Sequence, residues 1–448
     1  MKNALITGFA ALLASSCLQL AAQDSKPLPP ALQVDEHGQK LDPGSRPILT
    51  YSDSNTLVHL YGLIEATLGY ANHQSDTGNT TFGYQVAWFS GNRYGIDADH
   101  YLAFGDSIGL KDLKAIVKLE GEYELPTGGF DTDNTIFNRD AWMGFYSPDL
   151  GKLTFGRQNT LTRDFTQTWG DAYGTADVTL KEGGYSNVNN FKQFIFYSAD
   201  PGGTRNNSSI VWKKPIGDTI VAGLAYGFSY AGAGGSADPG QGGEVPGNPA
   251  QGASYAASIA FNHLPVGPGK LSFNLNYDHG TENNTNKNQD YAFLVGGDYI
   301  CGPWRLNAGY VYYDGQQGAN HSAQDRKDNS WTVSGVYSFT KATALSLGYV
   351  RFSGKNAGVA ASGKVLNPFF GNSSAVTNGT EADGNKGTLF GALMFSPDRQ
   401  IDLYVAFDYM KVGGNWAVGD AIGNTNAIGK GQAYDNETEI VTGCRFKF

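Results

Sequence analysis

A strand-like run, KLTFGR, ends at Arg157 and is followed by a long polar segment, Gln158 to Thr204, that carries Asp164, Asp171, Asp177 and Glu182 among Tyr, Trp and Gly. An insertion of this size in a regular chain is far more often functional or disordered than a turn. Four carboxylates on one loop offer electrostatics: facing cations across a water-filled space, they would set up a field that orders water and sorts ions. Asp200 adds a fifth acid, against Arg163, Lys181 and Lys192. Other chemistry has little support. The seven histidines are scattered, and no GxSxG elbow, HExxH helix or Gly-rich phosphate cradle with a following Lys is present. Asp97 and Asp99 in DADH would share a strand face, but His100 would point away, which counts against a metal site. No cofactor is expected.

The elements that must position these residues repeat with period two. From Leu57 onward, segments of about ten residues alternate apolar with small or polar side chains. Thr438, Ile440, Thr442, Cys444, Phe446 and Phe448 fall on one face of the last segment, and Glu437, Glu439, Arg445 and Lys447 on the other. Ile401, Leu403, Val405, Phe407 and Tyr409 alternate with Asp402, Tyr404, Ala406 and Asp408, and Leu271 to Tyr277 alternate with Ser272 to Asp278. A soluble sandwich would alternate too. Connections separate the two. Short turns (SPDLGK, KPIGD, CGPW, FTKA, SPDRQ) take turns with long Gly/Asn/Asp/Ser segments at Ala231–Gly252, Gly354–Lys386 and Gly413–Tyr434. Short turns at one end and long loops at the other is the arrangement of an outer-membrane barrel. The count of segments is about sixteen, an even number that closes an antiparallel sheet with both termini on one side.

Composition agrees. The 448 residues include 60 Gly, 25 Tyr and 25 Phe, with only 17% charged residues, which suits one all-β unit. A net charge of −10 and no basic cluster set nucleic acid aside as a partner. Lys2, an apolar core through Ala14 and small residues up to Ala22 read as an export signal over residues 1–22. A lipoprotein signal ending at Cys17 is the competing reading, but Ala14 stands where a Leu is expected. Residues 23–56 are Pro-rich, polar and aperiodic, a solvated extension. Cys301 and Cys444 remain, and the phase of Cys444 points it outward, so two unpaired thiols are expected. Tyr70, Trp142, Tyr146, Trp304, Tyr310, Tyr312 and Tyr409 are placed outward, at the lipid–water boundaries.

The segments VHLYGLIEATLGY, SGNRYGI, LKAIVKLEGEYELPTG, FNRDAWMGFYSPDLGKLTFGRQ and RNNSSIVWKKP, with terminal Phe448, resemble the general porins of Gram-negative outer membranes, in particular the β-proteobacterial branch. The resemblance implies an all-β transmembrane antiparallel barrel of sixteen strands over 57–448. It implies a third extracellular loop (about 158–204) folded inward, a homotrimer, and a C-terminal strand ending in Phe448 that is presented to the outer-membrane assembly machinery. Outer-membrane lipid and lipopolysaccharide would surround it. It also implies a basic wall opposite the loop, which the motifs place at Arg93, Arg139 and Arg205. Strand phase supports two of these: Arg93 shares a face with Asp97 and Asp99, and Arg139 is opposite in phase to Trp142, taken as outward. The loop is longer than such porins usually carry, and FKQFIFYSAD within it could be an extra strand or a second fold-in.

The expected function is therefore a water-filled channel for passive diffusion of ions and small hydrophilic solutes, and not an enzyme. A substrate-specific sugar or phosphate channel is the alternative, with Tyr61, Tyr313 and Tyr404 as scattered lumenal aromatics. A surface-exposed adhesive barrel or barrel enzyme is the second.

Overall fold

Alternating side chains and hairpin turns build one antiparallel sheet that closes on itself. The structure is a computed structural model that describes residues 49–73, 80–85, 91–132, 134–169, 204–228, 250–281, 288–318, 321–358, 376, 378–398, 400–416 and 435–448. In order the elements are β1 (Leu49–Ser52), β2 (Thr56–Ala71), β3 (Thr81–Gln85), β4 (Asn92–Tyr101), α1 (Phe104–Ser107), β5 (Lys114–Tyr123), β6 (Asp140–Ser147), β7 (Gly151–Asn159) and α2 (Leu161–Thr168). There follow β8 (Arg205–Ile216), β9 (Ile220–Gly227), β10 (Ser254–Val266), β11 (Gly269–Thr281), β12 (Gln289–Cys301) and β13 (Trp304–Gly315). The last are β14 (Arg326–Ser338), β15 (Thr343–Gly358), β16 (Glu381–Asp398), β17 (Ile401–Gly414) and β18 (Asn436–Lys447).

From β4 to β18 each strand pairs antiparallel with the next, and β18 returns to β2, where Lys447 faces Leu63 and Glu439 faces Ala71. The other edge of β2 is shared: β4 pairs with Thr56–Leu63 and β3 with Thr67–Ala71. β3 and β4 are thus two pieces of one stave, and the ring has sixteen staves. Closure leaves no open edge for lipid to desolvate.

The seam is completed by both ends of the chain. Below β18, Gly62 and Phe448 exchange backbone hydrogen bonds of 2.8 and 3.0 Å, and the Phe446 and Phe448 rings stack with centroids 5.8 Å apart. Below that, β1 pairs with Leu57–Leu60. Leu49–Ser52, assigned above to the polar extension, is therefore sheet, because Tyr51 and its neighbours supply backbone partners to a β2 edge that β18 is too short to cover.

The expected faces of β11, β17 and β18 recur: Asn274, Asn276, Asp278, Asp408 and Glu439 are buried on the inner side, while Tyr277, Val405, Phe407, Tyr409 and Ile440 are exposed on the outer. Tyr70, Trp304, Tyr310 and Tyr409 also face out. Trp142 and Tyr146 do not. They share phase with Asp140 on the inner face of β6 while Met143 and Phe145 are exposed, and the Lys152 ammonium lies 4.3 Å above the Trp142 ring. An aromatic near a strand end follows the pleat of its own strand, and here a lumenal cation holds the ring inside. The inner face of β12–β18 also carries an apolar cluster that includes Leu294, Val311, Tyr313, Phe390 and Met394. Cys301 and Cys444 are not disulfide-bonded, and the Cys444 thiol points to the Arg445 carbonyl oxygen at 4.0 Å.

Deleting Leu49–Ser54 strips hydrogen-bond partners from Leu57–Leu60. The heat-modifiable band of the folded barrel on gels is expected to convert to the unfolded form several degrees lower than wild type, with unchanged pore conductance.

Candidate functional site: the lumenal wall and its helix

Period-two alternation sends Lys118, Glu120 and Glu122 of β5 into the lumen, opposite Asp97, Gly95 and Arg93 of β4 in the sheet register. Arg139 precedes β6 and donates from Nε to Glu120 and from Nη1 to Glu122. All three are nearly fully buried. The phase argument for Arg139 fails, because Trp142 is itself inward; Arg139 reaches the lumen because it lies in a bend outside the pleat, tied to the Glu120 carbonyl through its own N–H. Tyr61 donates to Glu120 at 2.8 Å, and the Lys118 ammonium is 3.6 Å from Asp140 and 3.9 Å from Glu120. Arg93 and Arg205 lie in the same electrostatic neighbourhood: Glu120 feels Arg93, and Arg205 feels Arg139, Asp140, Glu120 and Glu122. Arg157 donates to the Asn138 carbonyl at 2.8 Å and to Asn207 at 2.6 Å. Arg139 thus sits on a wall that supplies its own carboxylates, with Arg93 on the neighbouring strand opposite Glu122 in the register. Burying an arginine between two glutamates is tolerable only because each charge has a partner.

Of the loop acids, Asp171, Asp177 and Glu182 lie outside the described residues, as do Lys192 and FKQFIFYSAD. Asp164 is described, and it is occupied: Lys213 of β8 donates to it, and so does Asn159 at 2.8 Å. It lies in α2, where the segment was read as loop. Leu161, Phe165 and Trp169 recur every four residues and form one stripe. That stripe is buried against Val211, Val221, Ala256 and Ala260, the small inward side chains of β8–β10. Gly223 of β9 leaves the room: a Cβ there would stand 2.7 Å from Leu161 and 2.9 Å from Phe165. Phe165 and Trp169 meet edge to face at 4.7 Å. The polar side is anchored as well, with Thr162 donating to Asp278 and Asn274 donating to the Trp169 carbonyl. Asp164 in the first turn also suits the positive end of the helix. The helix consequently lies inside the barrel, along the wall next to the arginines.

The carboxylates Glu120, Glu122 and Asp140, and the anchors Leu161, Phe165 and Gly223, were not singled out from sequence. The signal for the first two was present in KLEGEY, where Lys118, Glu120 and Glu122 share one face. Lower in the lumen Asp97 is 2.7 Å from His59, Asp99 takes a bond from Lys114, and His100 turns away to Thr56 at 2.9 Å. Among the described residues no group of three or more His, Cys, Asp or Glu side chains is arranged to hold a metal ion.

A closed sixteen-stave barrel with a charged lumenal wall and a chain segment docked inside agrees with a family model described as Gram-negative porin, which matches residues 8–365. The chain belongs to the Gram-negative porin family. The porin is 23% identical over 193 residues to an outer membrane porin protein of Bordetella pertussis; the match covers 40% of this chain and 44% of that protein, so less than half of the relative's length is spanned. Among solved structures, the anion-selective porin from Comamonas acidovorans has a TM-score of 0.60 at 17% identity, covering 88% of this chain and 100% of that one. OmpT, an outer membrane protein of Vibrio cholerae, has a TM-score of 0.54 at 14% identity, covering 89% and 99%. Salmonella typhi OmpF has 0.52 at 13%, covering 89% and 100%. These likenesses show the fold of the porin, a transmembrane barrel of the Gram-negative outer membrane.

Phe165→Ala removes the ring that seats α2, a loss of about 3–5 kcal/mol for a buried Phe. Single-channel recording is expected to show a larger and noisier conductance, and trypsin to cut the folded porin at Arg163 where it spares wild type. Arg139→Gln takes from two buried carboxylates the guanidinium they share, leaving Glu120 only Lys118 at 3.9 Å as a cation, a cost of about 3 kcal/mol, read as a lowered heat-modification temperature.

Proposed function

We propose that the porin is a passive diffusion channel for ions and small hydrophilic solutes. The observation that carries this reading is the helix-narrowed lumen bordered by a wall of fixed charge. On that wall Arg93, Lys118, Arg139, Arg157 and Arg205 stand against Glu120, Glu122, Asp140 and Asp97, the register partner of Lys118, five cations to four carboxylates. Guanidinium groups keep their charge at any relevant pH, so the local excess is positive and the channel favours anions modestly. In this proposal Asp171, Asp177 and Glu182 continue the inward path that α2 begins and form the opposing rim. Asp164, bonded to Lys213, serves to hold the helix and is not a free pore charge.

The sugar-channel alternative draws less support. Tyr61 is engaged with Glu120, Tyr404 donates to Glu65 at 2.6 Å, and Tyr313 is packed in the apolar cluster, so the three form no continuous track. A trimeric assembly, and recognition of the strand ending in Phe448 by the assembly machinery, belong to the same proposal.

Planar-bilayer recording under a KCl gradient tests it. The expected reversal potential has the sign of anion preference, Arg205→Gln moves it toward cations, and proteoliposomes swell in small sugars at rates that fall with size without saturating. An impermeable bilayer, or a saturable flux of one solute, would defeat the proposal.

A further inference from the structure

Near their extracellular ends β15, β16 and β17 carry, at one height on the inner face, a row without side chains. Gly354 of β15 faces Gly384 of β16, and Gly384 faces Gly414 of β17, while Asp328 of β14 closes the row on the far side of Gly354. One pleat repeat lower the same staves are filled again, by Phe352, Lys386 and Val412. Three inward glycines in register leave a slot across the wall. Glycine inside a strand weakens it and marks a place where another group comes close to the backbone.

The group that comes close is Trp416. β17 ends at Gly414, whose φ of +71° takes the backbone out of the pleat, and the chain then crosses β16 on the inside. Asn415 donates its backbone N–H to the Asp383 carbonyl at 2.8 Å, and the Trp416 indole N–H donates to the Ala382 carbonyl at 3.1 Å. The ring covers two of the glycines: a Cβ at Gly384 would fall on the indole at Cγ, and one at Gly354 would stand 2.8 Å from its Cζ2. Phe352 meets the indole from below, with centroids 5.5 Å apart. Arg326, bonded to Asp328 at 2.8 Å, lies 6.0 Å from the Phe352 ring. Asp383 ties the rim a second time, its carboxylate accepting the Asn356 backbone N–H at 2.8 Å. Trp416 is thereby 3% exposed, inside a lumen.

A tryptophan near a strand end of an outer-membrane barrel is favoured at the lipid boundary. This one is turned inward, and it is neutral, so it changes the width of the mouth and not its field. It also stands far from α2. From β9, which α2 covers, to β16 is seven staves, close to half of the ring.

We infer that Trp416 is a specificity-determining residue of the channel: seated in the glycine row, it holds itself and Asn415 inside the extracellular mouth and sets the largest solute admitted there. The inference rests on the diffusion reading proposed above and adds a second place, separate from the arginine wall and from α2, at which that diffusion is limited. The full mature porin is to be reconstituted in liposomes and swelling followed in glucose, sucrose, raffinose and stachyose. Because exclusion follows pore diameter, Trp416→Ala is expected to raise the stachyose-to-glucose rate ratio about fivefold over wild type. Gly384→Ala keeps the indole but fills its seat, and is expected to raise the ratio likewise by releasing the same residues from the rim. Trp416→Phe keeps a ring in the slot and loses the bond to Ala382, so a smaller rise is expected. The reversal potential in a KCl gradient stays at the wild-type value in all three, which separates a change of width from the change of field expected of Arg205→Gln. An unchanged ratio in Trp416→Ala, or in both Trp416→Phe and Gly384→Ala should Trp416→Ala not fold, overturns the inference; with glucose still entering, the channel reading stands. A wild-type porin impermeable to glucose defeats that reading and the inference together.

Discussion

Inside a bilayer no water is available to a peptide group, so every N–H and C=O of a crossing element must find its partner within the chain. The rest of this architecture follows from that requirement. Sixteen staves meet it everywhere except where the first and last must find each other. At that seam β2 is served from one side by two pieces of chain: β18 above, running on into the backbone of Phe448 at Gly62, and β1 below. On its other side β3 and β4 divide the work. The stave count is thus a statement about edges satisfied, and the eighteen strands reduce to sixteen once that is recognised.

Closure creates a lumen, and the lumen changes what a charge costs. Arg139 between Glu120 and Glu122 is a structural triad, because removing the arginine takes a charge-assisted partner from two buried carboxylates at once. The same economy governs α2: its apolar stripe covers small side chains on β8–β10, while Asp164, Thr162 and the Trp169 carbonyl are each bonded to the wall. In the proposed channel, field and constriction therefore share their supports. A change in pore charge on this wall is also a change in stability.

Much of this was legible in sequence because a strand's side-chain period is two and lipid tolerates no exception to it over a full crossing. The faces of β11, β17 and β18, the short turns and the stave count all follow from that single rule. It lost its force where the pleat ends. Arg139 lies in a bend, so its phase relative to Trp142 carried no information. Trp142 and Tyr146 were read as boundary aromatics from type and position alone, yet the Lys152 ammonium offers a lumenal partner that only the fold reveals. α2 was hidden because three apolar residues spaced by four in a polar segment are too few to announce a helix; their partner, Gly223, is sixty residues away in the chain. Leu49–Ser52 was hidden for the opposite reason, being too short to show any period.

The short N-terminal hairpin of β1 and β2 has a consequence for the order of events during biogenesis. Its contacts are local and can form as soon as those residues are available, whereas β18 must traverse nearly the whole chain before it meets β2, the slowest kind of pairing. Until then the edge of β2 is a template for any passing strand, its own copies included. With Leu57–Leu60 already covered by β1, the stretch open to such mistakes is confined to the upper part of the stave, the part that only the last residues of the polypeptide are shaped to claim.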